Sequence, residues 1–346
     1  MQIILGVILS LLVGGISTAL YAWLVWWLDH YEKEPWWLLA LTFLWGAVPA
    51  IALSVVVELI LDIPISILGP GLAYEVAGSG LVAPMVEEVA KGVGVFGVLL
   101  FVRREMDDVL DGIVYGAMAG LGFAFTENFF YFTTSLLEGG WGVWAGVIFM
   151  RAIIFGLNHA FFTGVTGGAL GYARLSTNSA VRVIVPLLGL GGAVAFHSIH
   201  NLGAALASVT CFSLLVSLFS DWAGILMVGL AIGLAWRQES KWIRVHLESE
   251  VGETLRREVY EMAASYRKQL GAQLRALLRR DIRTWRLSRR LAQTATELAF
   301  KKHQLATLGD ERGNSQAIEN LRQRLVTLQV PWSASQPATT LPREPS

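Results

Sequence analysis

The sequence predicts an all-α membrane protein, a bundle of about seven transmembrane helices followed by a helical tail. Three observations point there. Of 346 residues, 54% are hydrophobic and only 16% charged. The apolar residues gather into runs that reach the roughly 20 residues needed to cross a bilayer. The neutral total hides an asymmetry, with 20 Lys/Arg against 12 Asp/Glu from Arg237 onward and 7 against 15 before it. A soluble domain of this length rarely combines such hydropathy with 13 Trp. The single cysteine, Cys211, excludes an internal disulfide and a cysteine-rich metal site, and its apolar neighbours suit a packing role.

The expected spans are approximately 3–28, 36–61, 80–102, 109–135, 142–172, 182–207 and 210–236. The first reads as a retained anchor, because no Lys or Arg precedes it and its apolar run is long and Trp-rich. Lys33, Arg103, Arg104, Arg174 and Arg182 fall only in alternate loops, on the side of the basic tail. The positive-inside rule then puts the N-terminus outside and the C-terminus in the cytoplasm. Trp23, Trp26, Trp27, Trp36 and Trp37 around the first inner loop, with Trp141 and Trp144 at the outer end of helix five, suit interfacial belts. Gly112, Gly116 and Gly120 on helix four, and the pairs Gly164/Gly168 and Gly167/Gly171 on helix five, are small-xxx-small ladders for close helix packing.

Three domains follow: 1–236 in the membrane, a basic helical domain 237–330 in the cytoplasm, and a disordered Pro-rich end, 331–346. The tail is expected to be helical from about Glu239 to Leu308 and from about Gln316 to Gln329, with a turn between. Its basic run from Arg275 to Arg290 suits anionic lipid headgroups or a partner helix, and nucleic acid is not expected given the adjoining span.

Ionisable residues inside the spans are the functional candidates, since each costs about 2.5–3.5 kcal/mol at mid-bilayer unless partnered or hydrated. Glu87 and Glu88 lie about 10–12 Å below the outer end of helix three, and Glu127 about 12 Å below that of helix four. His197 falls at about 15 Å on helix six and His159 at about 25 Å along an overlong helix five. Glu87 or Glu88 can form a buried ion pair with Lys91, at i+4 and i+3, but one lysine cannot neutralise both. The remaining carboxylate is free to act as a base, share a proton or bind metal. Glu127, beside Asn128, can alternatively be a bundle hydrogen bond to Arg151. His159, beside Asn158, can be a core histidine. His197 and Asn201 project from one helical face, with His200 in the same sector.

These residues resemble the PrsW family of intramembrane proteases. The run Ala83-Pro84-Met85-Val86-Glu87-Glu88-Val89-Ala90-Lys91 is similar to its Glu-Glu-x-x-Lys element. Asp111 to Gly116, leading through Gly120-Leu121-Gly122-Phe123 to Glu127 and Asn128, is similar to its second element. His159 and the His197-x-x-x-Asn201 pair fit the third and fourth, and Asp29 with Glu34-Pro35 resembles its first cytoplasmic loop. The likeness covers roughly residues 29–203 and extends distantly to CAAX-processing membrane proteases.

The resemblance implies peptide-bond hydrolysis of a membrane-protein substrate by an activated water, with an anti-sigma factor as the substrate of the best-known members. Glu87 or Glu88 would be the base, and a histidine with Asn201 would stabilise the oxyanion. A divalent metal, zinc first, would find three ligands in Glu88, His159 and His197, although the His-Glu-x-x-His signature is absent. A metal-free mechanism uses the same residues. The competing classes are a proton- or ion-coupled transporter, which also needs intramembrane Glu, His and Arg, and a non-catalytic scaffold that presents the tail.

Overall fold

The computed structural model describes residues 2–31, 33–310 and 313–335. They are predominantly helical and contain no strand beyond an isolated bridge between Val251 and Leu255. The chain divides into two compact units. The first comprises residues up to Asp29 and Glu34–Gly233; the second comprises His30–Lys33 and the chain from Leu234 onward.

In the first unit, α1 (Gln2–Leu28) is followed by α2 (Trp36–Trp45), a π-helical turn at Gly46–Ala50 around Pro49, and α3 (Ile51–Ile65). The short α4 (Leu72–Glu75) leads through a second π segment, Val76–Val82, into α5 (Ala83–Phe101). A capping box of Asp108 and Asp111 starts α6 (Val109–Ile148). A third π segment, Phe149–Ile154, precedes α7 (Asn158–Leu175), and α8 (Ser179–Ala205) and α9 (Phe212–Glu248) follow.

Among the described residues, five helical stretches are long and apolar enough to span a bilayer: Ile3–Leu28, Trp36–Leu68, Val109–Leu175, Ser179–Ser208 and Phe212–Glu250. Two features account for the difference from the expected seven. The third expected span, now α5, is apolar but carries three charged side chains, Glu87, Glu88 and Lys91, within 19 residues, too much charge to count as an uninterrupted apolar span. The expected fourth and fifth are one continuous stretch, yet the chain doubles back inside it at Gly140, whose φ of 73° suits only a residue without a Cβ. Leu136 packs on Gly6 of α1 before that point, and Trp144 then donates to Ser10 and Tyr21 to the Ala152 carbonyl as the chain descends along α1.

The glycine ladders explain the tight centre of this unit. A Cβ at Gly112 would stand 2.1 Å from the Gly167 carbonyl oxygen, one at Gly116 2.4 Å from that of Thr163, and one at Gly120 2.0 Å from that of His159. On α7 it is Gly167 and Gly171 that press against the backbone at the start of α6, whereas Gly164 has only ordinary contact with Ile113 and Gly168 faces the Ile113 side chain. The other side of α6 repeats the device, with Gly122 against the Phe43 carbonyl and Gly46 against that of Ala119. Main chains of α2, α6 and α7 therefore run in contact, as small residues permit in a membrane.

The second unit adds α10 (Arg257–Ala263), α11 (Tyr266–Leu278), α12 (Ile282–Leu308) and α13 (Asn314–Ser335) to the end of α9. Its core gathers Ile243, Leu247, Val259, Met262, Leu291, Leu298, Leu325 and Trp332. The helical tract expected from Glu239 to Leu308 is interrupted at Gly252 and Arg280, both with positive φ. Helix α13 continues through Pro331 to Ser335, past its expected limit, because Trp332 is buried in the core. The remainder of the expected disordered end, 336–346, lies outside the described residues. His30 also belongs to this unit, stacked between Trp236 at 4.2 Å and Tyr266 at 4.0 Å.

Candidate active site

Four helices of the first unit deliver the candidate side chains to one place. Helix α5 supplies Glu87, Glu88 and Lys91, α6 Glu127, α7 His159, and α8 His197 and Asn201. A cavity of about 630 Å³ is lined by Glu87, Glu127, His159, His197, His200 and Asn201, with Glu58 and Arg151. His159 reaches it because the helix expected at 142–172 is broken at Phe155–Leu157, which makes His159 the second residue of α7 rather than a position deep along a continuous helix.

The adjacent glutamates have different surroundings. Glu88 is wholly buried: Lys91 Nζ lies 2.6 Å from its Oε1, His197 Nδ1 lies 3.0 Å from the same atom, and Thr163 donates to Oε2 at 3.0 Å. Glu87 borders the cavity, with Oε2 at 3.4 Å from Lys91 Nζ and 3.8 Å from His197 Nε2. Lys91 thus touches both carboxylates, and it also stands 3.3 Å from His159 Nδ1 and over the Phe123 ring.

Glu127 Oε2 pairs with Arg151 at 2.5 Å and lies 2.8 Å from His159 Nε2. The bundle contact to Arg151 considered from sequence is therefore present together with placement in the cavity. Arg151 sits in the π segment, where the widened turn redirects a side chain; it also donates to Asn128 and covers the Tyr131 ring. Phe162 stacks on His197 at 4.7 Å. Asn201 donates to the Ser79 carbonyl at 2.9 Å, so α8 closes on the π segment that leads into α5.

One ligand atom each of Glu87, His159 and His197 lie within 4.8 Å of one another. Ligand atoms around a tetrahedral zinc are about 3.4 Å apart, so small side-chain adjustments would let this set hold a divalent ion. The donor set differs from the expected one in its carboxylate. Glu88 was expected as the ligand, but its oxygens are occupied by Lys91, His197 and Thr163, and Glu87 takes its place in the cluster.

Not every motif residue arrives here. Asp29, Glu34 and Asp111 gather elsewhere: the Glu34 N–H donates to Asp29 at 3.1 Å, Tyr115 donates to the Glu34 carboxylate, and Asp111 accepts from the Asp107 and Asp108 N–H groups. Burial beside Asp111 and Asp29 pushes the Glu34 carboxyl well above the usual carboxylate range. Asp111 and Glu127 are 16 residues apart on α6, about 24 Å of helix. The sequence reading also missed Asp221. This fully buried carboxylate of α9 lies 2.7 Å from His200 Nδ1 and accepts from Asn158 at 2.8 Å. Being an ionisable residue inside an expected span, it carried the same signal as Glu87 and Glu127.

The family described as PrsW family intramembrane metalloprotease matches residues 34–225. The chain is 28% identical over 222 residues to Protease PrsW of Oceanobacillus iheyensis, an alignment covering 61% of this chain and 89% of that protein. It is 31% identical over 151 residues to Protease PrsW of Geobacillus kaustophilus, covering 43% and 59% respectively. No solved structure matches it. With more than half its length matched, including every helix that borders the cavity, the chain belongs to the PrsW family of intramembrane metalloproteases.

Proposed function

We propose that the protein hydrolyses peptide bonds of membrane-protein substrates in the cavity between α5, α6, α7 and α8. The observation that carries this reading is the convergence of Glu87, His159 and His197 within 4.8 Å, with Glu127 beside them. These three residues would hold a divalent ion, with zinc first because imidazole and carboxylate are among its usual ligands. Such an ion would supply Lewis acidity toward a water and the scissile carbonyl.

The chain's own groups divide the remaining work. Glu127, the cavity carboxylate that touches a ligand histidine, takes the proton of the attacking water and passes it to the leaving amine, while Arg151 fixes its position. Glu88 holds His197 by Nδ1 and so turns Nε2 toward Glu87. Asn201 and His200 line the cavity on the α8 side, where a donor can stabilise the developing oxyanion.

Lys91 favours a second, metal-free reading. Its ammonium already lies 3.3 Å from His159 and 3.4 Å from Glu87, within the same cluster of donors. Glu87 would then be the base, with the histidines and Asn201 stabilising the oxyanion. Alternation of positive loops supports an N-terminus outside, a cytoplasmic C-terminus and a site in the outer half of the bilayer. An anti-sigma-factor-like membrane protein is the substrate class to test first.

The deciding experiment is cleavage of a co-reconstituted membrane-protein substrate. Activity should vanish in Glu87→Gln and fall sharply in Glu127→Gln while both variants remain folded. Full activity in a folded Glu87→Gln protein rejects both mechanisms. Activity that survives verified metal removal rejects the first and retains the second.

A further inference from the structure

The second unit presents a surface that the proposed proteolysis does not use. On α11, Leu270, Leu274, Leu277 and Leu278 follow the i, i+4, i+7, i+8 pattern of one helical face, and Ile282 continues it at the start of α12. These five side chains are between 40% and 84% exposed. Ala276, on the opposite side of α11, is buried, so the helix turns its small residue to the core and its leucines outward. The corner between α11 and α12 is held open by Arg280, whose φ of 56° reverses the chain directly after Leu278, the most exposed of the five.

The charge around this face is predominantly positive. Residues 266–290 contain nine Lys/Arg and a single acid, Asp281. Arg267, Arg275, Arg279, Arg280, Arg283 and Arg286 are all exposed. Lys268 is partly engaged, pairing with Glu261 at 2.7 Å. A cavity of about 620 Å³ beside α11 is lined by Arg275 and Arg279 but also by Glu258, Glu261 and Asp281; its mixed sign leaves the outer face as the distinctive feature.

An exposed leucine row without cations would suit a protein groove, and cations without leucines would suit a polyanion. The combination of an apolar face with flanking arginines is the composition of helices that lie in a membrane interface. We infer that the α11–α12 face docks onto an anionic phospholipid surface, leucines in the acyl boundary and arginines at the headgroup phosphates. Helix α9 runs without interruption from its apolar span into this unit, so a bilayer surface is always within tethered reach.

The test uses the full-length protein with Cys211→Ser as background and an environment-sensitive fluorophore on Leu277→Cys, reconstituted in phosphatidylcholine vesicles with or without phosphatidylglycerol. In anionic vesicles the Leu277 probe should shift to the blue and lose most of its emission to doxyl lipids, and high salt should reverse both effects. A reference probe on Gln323→Cys, exposed on α13, should stay water-like. The charge reversal Arg279→Glu with Arg283→Glu should abolish quenching at Leu277 without changing the helical content. A Leu277 probe that stays water-like in anionic vesicles overturns the proposal. So does quenching that is equal in pure phosphatidylcholine and indifferent to salt. A probe shielded from iodide yet untouched by doxyl lipid would mean that protein covers the face, and the lipid assignment fails.

Discussion

Glu88 Oε1 lies 3.0 Å from His197 Nδ1, and that contact fixes which ring nitrogen of His197 looks into the cavity. A carboxylate can only accept, so Nδ1 carries the proton and Nε2, 3.8 Å from Glu87, is left with its lone pair. If His197 holds a metal ion as proposed, a carboxylate behind it in this position is expected to matter about 10–100-fold to metal affinity or activity.

Glu88→Gln should therefore lower the cleavage rate by about 10–100-fold while the protein stays folded, because the amide keeps an acceptor but loses the charge. Glu88→Ala should do more, since it deprives the fully buried Lys91 of its 2.6 Å partner. Removing one member of a buried pair costs about 3–5 kcal/mol, and the low end applies here because Glu87 remains 3.4 Å away. Thermal unfolding of the two variants in detergent checks the difference; equal stability would show that Glu88 does not hold Lys91.

The two glutamates can also be separated by metal content. If Glu87 is the ligand, Glu87→Ala, His159→Ala and His197→Ala should each lose the ion, whereas Glu88→Gln should regain it in excess metal. Elemental analysis of purified protein reads this directly, with about one ion per chain expected for the parent. The reverse pattern, with loss at position 88 and retention at 87, would restore the assignment made from sequence.

Sequence could not make this choice. Glu87 and Glu88 differ by about 100° around α5, and only knowledge of what stands on either side tells which one meets solvent. What sequence did show was the four-motif set, because an ionisable residue in an apolar run is anomalous wherever it sits. The ladder of Gly112, Gly116 and Gly120 was legible for the same reason, as a spacing with one physical use. Asp221 bore the same anomaly and was overlooked among the polar residues of α9. The position of His159 was obscured by the break at Phe155–Leu157, which no Pro or Gly pair announces. The attachment of His30 to the second unit rests on a sandwich with Trp236 and Tyr266, more than 200 residues away in sequence, a pairing that no local pattern encodes.

The ladder leads to a stability prediction. A Cβ at Gly120 would stand 2.0 Å from the backbone oxygen of His159, and no flexible side chain can give way there. Gly120→Ala should destabilise by about 1–3 kcal/mol, the usual cost of overpacking, and should impair cleavage further by displacing His159. Gly97→Ala on α5, where nothing lies within 4 Å, should be neutral within about 0.5 kcal/mol. Parallel unfolding curves for the two variants would show that α6 and α7 are not in backbone contact.

Orientation is testable with single cysteines. With Cys211 replaced, a cysteine at Gly71 should be labelled by an impermeant reagent from outside the cell. A reporter fused after Trp242 should be active only in the cytoplasm. The opposite pattern would place the site in the inner half of the bilayer.

The second unit should respond to acid through His303. Burial, reinforced by the neighbouring His246 at 3.2 Å, pulls the His303 imidazole down from 6.5 to about 4. A histidine depressed in the folded state is protonated more readily when unfolded, so the unfolded chain binds more protons below the ordinary value. The stabilisation is thus complete above about pH 6.5 and is lost as pH falls toward 4. Trp242, which packs against the core, stacks on the His303 ring at 4.0 Å and places the titration at the edge of that core. Hydrogen-exchange protection of residues 295–305 should fall progressively between pH 6.5 and 4 in the parent. In His303→Gln, where nothing titrates at that position, protection should be lower at neutral pH and flatter across the range. Protection in the parent that is unchanged over this window would mean that the neutral imidazole is not what the fold selects.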